Sequence, residues 1–437
     1  MRILYLAQYF NLPDEPGASR HYEFARAWAQ AGHEVSILTG NVNYKTGRTV
    51  PCDPFRTYSV SEHPDGFQIY RLWTYSRFRG SFRKRLLFFG SFAIHASVIG
   101  SFLSRPDLVF ASSTPLSIGV PGLALARRYR VPFVFELRDL WPEAVVAAGV
   151  MTDPRWIRWT RSLARFLYRR ADHLIAVTRG IREGILAHDV PPERVTLIPN
   201  GVDHWMAPDR FRDRNPLERF AGRFVCLYVG AHGIWNDLET LLSAAEALRD
   251  DPRVVFVFVG DGDHKAVLER RLAQVHFLGA RPKEDAFAAM VHADLGLISA
   301  SGHPHNRQTL PNKIFDYMAA ELPVLVAAGE GEMAELLQAS NGGWVSPPED
   351  GRALAETIRG ALALDGRDRR AFGGNGRRYV LEHYFRPRLA EKLVEVFRGC
   401  VEGGAGVRPV SLPSNLPGAK DSDESYRSRV MGGEADR

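Results

Sequence analysis

Four stretches of the chain combine residue types suited to holding anions and sugars. The richest is Ser299 to Ala319, SASGHPHNRQTLPNKIFDYMA. A polar loop carrying His303, His305, Asn306, Arg307 and Gln308 passes through Pro311 into a helix predicted to start at Asn312, with Lys313 in its first turn and Asp316 one turn later. The N-terminus of a helix presents unsatisfied N–H groups and the positive end of the dipole, so this start, Lys313 and Arg307 together form an anion site. A lysine in the first turn opposes the dipole, and a bound anion would account for it. Asp316 sits at a depth where a carboxylate can accept two hydroxyls, as from a ribose. The two histidines are too loosely spaced, and lack a carboxylate partner, for a metal site.

The second stretch is Arg138-Asp139-Leu140-Trp141-Pro142-Glu143, directly after the apolar run FVFEL. Charges at the end of a buried strand are costly unless paired or in contact with a ligand, so Glu136, Arg138, Asp139 and Glu143 imply either a ligand contact or an arginine–carboxylate network between loops. The third is Gly230-Ala231-His232-Gly233, where backbone N–H groups suit a diphosphate and His232 either donates to it or faces solvent. The fourth is Gln8 to His21, in which Gly17 permits close backbone approach and Ser19 is a good N-cap. A fifth stretch has different chemistry. Arg71 to Gly90 interleaves Arg71, Arg77, Arg79, Arg83, Lys84 and Arg85 with six aromatic residues and no acid, which suits either an anionic membrane surface or a solvated basic loop ahead of a core helix.

The elements that position these residues alternate. Short apolar runs at Arg2–Ala7, Glu34–Thr39, Phe67–Leu72, Leu108–Ser112, Phe133–Leu137, His173–Val177 and Val195–Pro199 are predicted strands. Amphipathic stretches between them, such as Ser19–Gly32, read as helices, which gives βαβ units and a parallel sheet. The pattern restarts with Val225–Val229, Val254–Val259, Val275–Leu278, Leu295–Ser299 and Val324–Ala327. The fold class is therefore α/β, two doubly wound, Rossmann-like domains facing across a cleft, with ligands beyond the carboxyl ends of the strands. The break falls at IPNGVD, Ile198 to Asp203, which divides residues 1–200 from 201–385. A last helix, 386–400, is free to cross back to the first domain. Residues 401–437, rich in Gly, Pro, Ser and charge, read as a disordered tail.

Composition narrows the function classes. The 437 residues are 45% hydrophobic and 24% charged, which excludes a coiled coil, a collagen-like repeat or a mostly disordered chain. A mean hydropathy of −0.20 excludes a polytopic membrane protein. The longest apolar segment, Leu86 to Leu103, is diluted by Gly90, Ser91, His95, Ser97, Gly100 and Ser101 and is not read as a span. The net charge of +6 favours anionic partners, but the basic residues are spread out and do not form a nucleic-acid patch. Cys52, Cys226 and Cys400 fit neither a disulfide framework nor a zinc site and suit a reducing compartment. With no signal peptide read at the N-terminus, a cytoplasmic place is expected.

Five stretches in order, Gly17 to Val35 (GASRHYEFARAWAQAGHEV), Glu136 to Glu143 (ELRDLWPE), Ile198 to Asp203 (IPNGVD), Val259 to Gly262 (VGDG) and Pro311 to Pro323 (PNKIFDYMAAELP), resemble the retaining GT-B glycosyltransferases of the large family numbered four. The branch that includes the WbuB-like N-acetylfucosamine transferases of surface-polysaccharide synthesis is the nearest in pattern. The resemblance spans residues 1–400. It implies a nucleotide-sugar donor held mainly by the second domain and an acceptor held mainly by the first. It further implies transfer without cofactor, metal or protein nucleophile, the leaving phosphate taking the acceptor proton on the same face.

Carried over, Gly17 approaches the donor diphosphate, Asp316 matches the second acid of the E-x7-E motif, and Gln308 stands where the first acid usually lies. The donor set implied is Gly17, Gly230, His232, Gly233, Gln308, Pro311, Asn312 and Asp316. Lys313 and Arg307 stand in for the Arg and Lys that many members carry after the first strand of the second domain. Arg138 beside Asp139 replaces a His–Asp pair. Arg83, Lys84 and Arg85 would meet a polyprenyl-linked or saccharide acceptor or the inner face of the cell membrane. A nucleotide-sugar epimerase and an inactive sugar-nucleotide-binding scaffold are the alternative expectations.

Overall fold

The computed structural model describes residues 1–403 apart from 14, 16, 44–46, 53–56, 78–81, 234–235 and 263–274. The predicted tail from residue 404 onward therefore lies outside the described residues, as do Arg79 and part of the aromatic stretch before Phe82, while Val401 ends the last helix. Two sheets organise the chain. The first has eight strands, β1 (Arg2–Leu6), β2 (Glu34–Gly40), β3 (Tyr58–Glu62), β4 (Gln68–Leu72), β5 (Leu108–Ser112), β6 (Phe133–Leu137), β7 (His173–Ala176) and β8 (Val195–Leu197), in the order β3-β4-β2-β1-β5-β6-β7-β8. The second has six, β9 (Phe224–Val229), β10 (Val254–Val259), β11 (Val275–Gly279), β12 (Leu295–Ser299), β13 (Val324–Ala327) and β14 (Gly343–Ser346), in the order β11-β10-β9-β12-β13-β14.

Both sheets are wound in two directions from a central strand. In the first, β1 pairs in parallel with β2 (Leu4 opposite Ser36) and with β5 (Leu4 opposite Val109). β5 and β6, LVFAS and FVFEL, are buried at every residue, as expected of central parallel strands covered on both faces. Helices supply that cover: Leu123, Leu125, Ala164 and Leu167 pack on one side of the first sheet, and Phe24, Ala25 and Trp28 on the other.

Two edge strands escape the sequence pattern. β3 is antiparallel to β4, joined by a tight turn in which His63 N–H donates to Phe67 O and Gly66 N–H to His63 O, both at 2.8 Å. Its sequence, YSVSE, is mostly exposed and carries no apolar run. β14, GWVS, has only four residues.

The last helix, Arg386–Val401, returns to the first sheet. Leu389, Ala390, Leu393, Val396 and Phe397 join the core around Tyr5, Trp28 and Phe110, and Trp28 Nε1 donates to Ala390 O at 3.2 Å. The chain thus passes between the two units twice. The crossings lie side by side, with Val202 N donating to Tyr384 O and Arg386 N to Val202 O, both at 2.9 Å. No helix among the described residues is long and apolar enough to cross a membrane.

Candidate active site

The cleft is walled by the carboxyl ends of strands from both sheets. On the first unit, β5 runs into Ser113-Thr114 and β6 into Arg138-Asp139. Thr114 Oγ1 donates to Asp139 Oδ2 at 2.7 Å, Arg138 N donates to Ser113 Oγ at 3.2 Å, and the Arg138 guanidinium lies 3.1 Å from His21 Nε2. Burial pushes the Asp139 carboxyl above its ordinary range, against the pull of Thr114, Arg138 and His305. His21, whose other ring nitrogen meets the Tyr5 hydroxyl, is pushed down to about 3 by burial and by Arg138. It is therefore a neutral imidazole that can accept from Arg138.

The charges around this loop divide between ligand-facing and structural roles. Glu136 is fully buried in an ion pair with Arg20, 2.6 Å apart, and accepts from Ser112 Oγ at 2.5 Å. Arg20 also donates to the carbonyls of Pro199 and Ile198, at 2.5 and 2.8 Å. This pair clamps the first helix, Arg20–Gln30, to the end of the sheet. Glu143 lies outside it, in an exposed contact with Arg161 at 3.2 Å. Asp139 and Arg138 are left facing the cleft.

On the second unit, β9 ends at Gly230. A β-carbon there would lie 2.7 Å from Lys313 Nζ and 2.9 Å from the Tyr228 hydroxyl, so a side chain at this position would push the lysine ammonium aside. Lys313, in the first turn of the helix Asn312–Ala319, donates to Asn236 Oδ1 at 2.9 Å and Tyr228 OH at 3.2 Å, with Nζ 4.3 Å from the Tyr228 ring centre. That helix has Pro311 at its N-cap and no capping side chain, so its first N–H groups remain available to a ligand.

A cavity of about 320 Å³ opens between the units, lined by Thr114, Arg138, Asp139, Asn200, His305, Gln308, Pro311 and Asn312 among others. Two buried oxygens at its wall, Asn200 Oδ1 and Asn312 Oδ1, have no hydrogen-bond partner within the protein. Buried polar atoms are nearly always satisfied in native proteins, and an exception calls for an explanation. Both residues line this cavity.

The remaining predicted residues are placed elsewhere. Arg307 is exposed, on a pocket of about 80 Å³ shared with Gly329 and Gly331, whereas Lys313 is half-buried at the end of β9. His232 is fully buried among Tyr228, Phe258 and Phe277, with its backbone N–H on Asp261 O at 3.0 Å, so it does not face solvent. Gly233 follows it in the same turn. Gly17 packs against Asn11, where a β-carbon would lie 2.1 Å from Nδ2, and lines a separate cavity of about 240 Å³ with Ser19, Trp205 and Lys283. Asp316 lies 3.5 Å from Lys283 Nζ. It belongs to an ionic network, not to the walls of these cavities.

Sequence reading did not anticipate that network. Asp203 accepts from Arg386 Nε at 2.5 Å, Lys283 Nζ at 2.9 Å and Ser19 Oγ at 2.5 Å. It ties both crossings, the first helix start and the second unit together. Burial alone would raise the Asp203 pKa, but the Lys283 and Arg386 charges hold it below its ordinary value of 3.8. Asn200, Tyr228 and Asn236 were also missed. IPNGVD marked the turn, yet spacing along the chain could not show that Asn200 faces a cavity. Among the described residues no cluster of His, Cys, Asp and Glu could hold a metal ion.

Two Rossmann-like sheets facing across a cleft define a protein of the GT-B architecture. A glycosyl transferase 4-like domain matches residues 17–201 and a glycosyl transferases group 1 domain matches residues 223–363; the chain belongs to the GT-B glycosyltransferases of the GT4 type. It is 26% identical to a probable glycosyltransferase, WbjE, of Pseudomonas aeruginosa, over 68% of this chain and 74% of the relative. It is 24% identical to the putative colanic acid biosynthesis glycosyl transferase WcaI of Escherichia coli, over 80% of this chain and 90% of that one. Among solved structures, Anabaena HepE in complex with UDP-glucose superposes with a TM-score of 0.66 at 18% identity, covering 91% of this chain and 100% of its own. Sucrose-phosphate synthase of Thermosynechococcus elongatus superposes with a TM-score of 0.70 at 19% identity, covering 92% and 99%.

Proposed function

We propose that the chain transfers a sugar, an N-acetylhexosamine or a deoxy derivative, from a UDP-linked donor to a lipid-linked or saccharide acceptor in cell-surface polysaccharide synthesis, with retention of anomeric configuration and without a metal. The carrying observation is the cavity between the units, lined by two unsatisfied amide oxygens and the open helix start at Asn312, with Lys313 in the first turn of that helix. An activated sugar offers hydroxyls for the first two features and a diphosphate for the others. The UDP-glucose bound to HepE supports the choice of donor, and the colanic acid biosynthesis named for WcaI supports the pathway.

In this reading the second unit holds the donor and the first the acceptor. As the sugar–diphosphate bond breaks, negative charge grows on the leaving diphosphate. Lys313 and the N–H groups of the helix start are fixed donors for that charge and need no rearrangement to meet it. Asn200, Gln308 and Asn312 orient the sugar. Asp139, aligned by Thr114, and Arg138, braced by neutral His21, face it from the opposite wall and position the acceptor. Arg83, Lys84 and Arg85, all exposed at the start of the helix Phe82–Gly100, give the first unit a peripheral contact with an anionic membrane. A nucleotide-sugar epimerase would need no acceptor side to the cleft.

Thermal shift with UDP, UDP-N-acetylglucosamine and GDP, with and without EDTA, tests the reading. Stabilisation by UDP and its sugars that is unchanged by EDTA is expected. No shift with any nucleotide would favour an inactive scaffold, and a shift abolished by EDTA would overturn metal independence.

A further inference from the structure

Beside the cleft, a helix of the first unit is seated on the second. The helix Arg179–Leu186 starts just beyond the carboxyl end of β7, and its cap Thr178 lines the cavity between the units, as does Ile181. The start of this helix is taken up by acids of the second unit. Gly180 N donates to Glu332 Oε1 at 3.0 Å, Arg179 Nε lies 3.9 Å from Glu332 Oε2, and the Arg179 guanidinium also pairs with Glu335. Both acids stand in the first turn of the helix Glu332–Ser340. Negative charge is favoured at a helix N-terminus, so the Glu332 carboxylate meets the dipole, a backbone N–H and an arginine at once.

The same turn presses on the donor pocket. Gly180 is buried, and a β-carbon there would lie 2.4 Å from both Cβ and Cγ of Gln308 and 3.0 Å from its Cα. Gly184, one turn further on the same helix face, makes room in the same way for Leu140, which a β-carbon would meet at 2.2 Å. Glycine weakens a helix relative to alanine, and neither of these two has the left-handed backbone that would call for it. Space is what they supply. Gln308 and Leu140 both line the cavity between the units, Gln308 from the second unit and Leu140, next to Asp139, from the first. One helix therefore backs a residue on each wall.

We propose that Gly180 is a positioning residue through which the first unit sets Gln308 against the donor's sugar, and that Arg179, paired with Glu332 and Glu335, holds it there. The inference rests on the transferase reading, in which Gln308 orients the sugar, and deepens it by assigning the two parts of the donor to different supports. Lys313 and the helix start at Asn312, which meet the diphosphate, belong to the second unit alone. Gln308 belongs to the second unit as well, but its backing comes from the first. Parting the units at this contact removes that backing and leaves the surroundings of the diphosphate as they were. The sugar's share of donor affinity therefore depends on the contact, and the nucleotide's share does not.

Isothermal titration of the full-length protein with UDP, UDP-glucose, UDP-galactose, UDP-N-acetylglucosamine and UDP-N-acetylgalactosamine tests the assignment. Gly180→Ala, and Arg179→Ala at a side chain that is 32% exposed, are each expected to weaken the best-bound sugar nucleotide at least tenfold and to leave the Kd for UDP within twofold of wild type. In a Gln308→Gly background, Gly180→Ala should add less than twofold, because the side chain it crowds is gone. Wild-type affinity for every sugar nucleotide in both single variants, equal weakening of UDP and its sugars, or a full tenfold effect of Gly180→Ala in the Gln308→Gly background would each overturn the proposal. No binding of UDP by the wild-type protein would instead overturn the transferase reading on which it rests.

Discussion

Lys313 is the residue on which the proposed chemistry most depends. Its position rests on Gly230, because any side chain there would occupy the space of its ammonium. Lys313→Met should lower kcat by about 10²–10³, the loss typical of removing one fixed donor to developing negative charge, with a smaller change in KM. Gly230→Ala should give a similar defect by displacing the ammonium, and steady-state kinetics of both variants checks this. The residue scale is also where sequence and structure part most. The place of Lys313 in a first helical turn was legible. Asp203 was not: its partners Arg386 and Lys283 lie 183 and 80 positions away, and no spacing rule reaches that far. Arg307 looked equivalent to Lys313 by charge, and His232 looked like either a ligand donor or a solvent-facing residue. Burial separates them, and burial is a property of the fold.

At the scale of elements, the strands were readable wherever both faces are covered. LVFAS, FVFEL and VVFVFV are continuous apolar runs whose limits in the structure are those of the pattern. Two of the edge strands, β3 and β14, were not, since half-solvated YSVSE and GWVS carry little hydrophobic signal. Helix caps were less readable: Ser19, the cap read from the sequence, makes no side-chain capping bond and donates to Asp203 instead, whereas Thr178, Asp350 and Asp365, which the sequence reading passed over, do cap their helices. The paired crossings form another element, held by Asp203. Because this carboxyl titrates below its ordinary 3.8 in the folded chain, its stabilisation is present above that pH and is lost as pH falls beneath it. Burial raises Asp316 in the same network, which gives a dependence of opposite sign. Asp203→Asn would strand Lys283 and Arg386 and should cost about 3–5 kcal/mol near neutral pH. It should also flatten the loss of stability between pH 4 and pH 3, read from denaturant unfolding across that range.

At the scale of the molecule, the two-sheet plan followed from the repeated alternation of strand and helix, but the cavities between the sheets did not. They depend on which loop ends meet. The basic start of the helix Phe82–Gly100 predicts how the protein is held in place. Replacing Arg83, Lys84 and Arg85 by Glu should release it from liposomes containing anionic lipid. Each basic residue near such a surface contributes about 1 kcal/mol, so the loss of three weakens binding on the order of 100-fold. Flotation with vesicles of defined phosphatidylserine content measures it, and unchanged binding would remove the membrane from the picture.

The return of the final helix to the first sheet has a consequence for how the protein is made. A growing polypeptide emerges from the ribosome N-terminus first, and its early domains usually fold while later ones are still being added. Here the face formed by Tyr5, Trp28 and Phe110 stays uncovered until Leu389, Leu393 and Phe397 arrive, after the whole second sheet has been synthesised. The first unit begun is thus the last completed, and through most of translation its aromatic face is exposed to whatever chaperone attends the nascent chain.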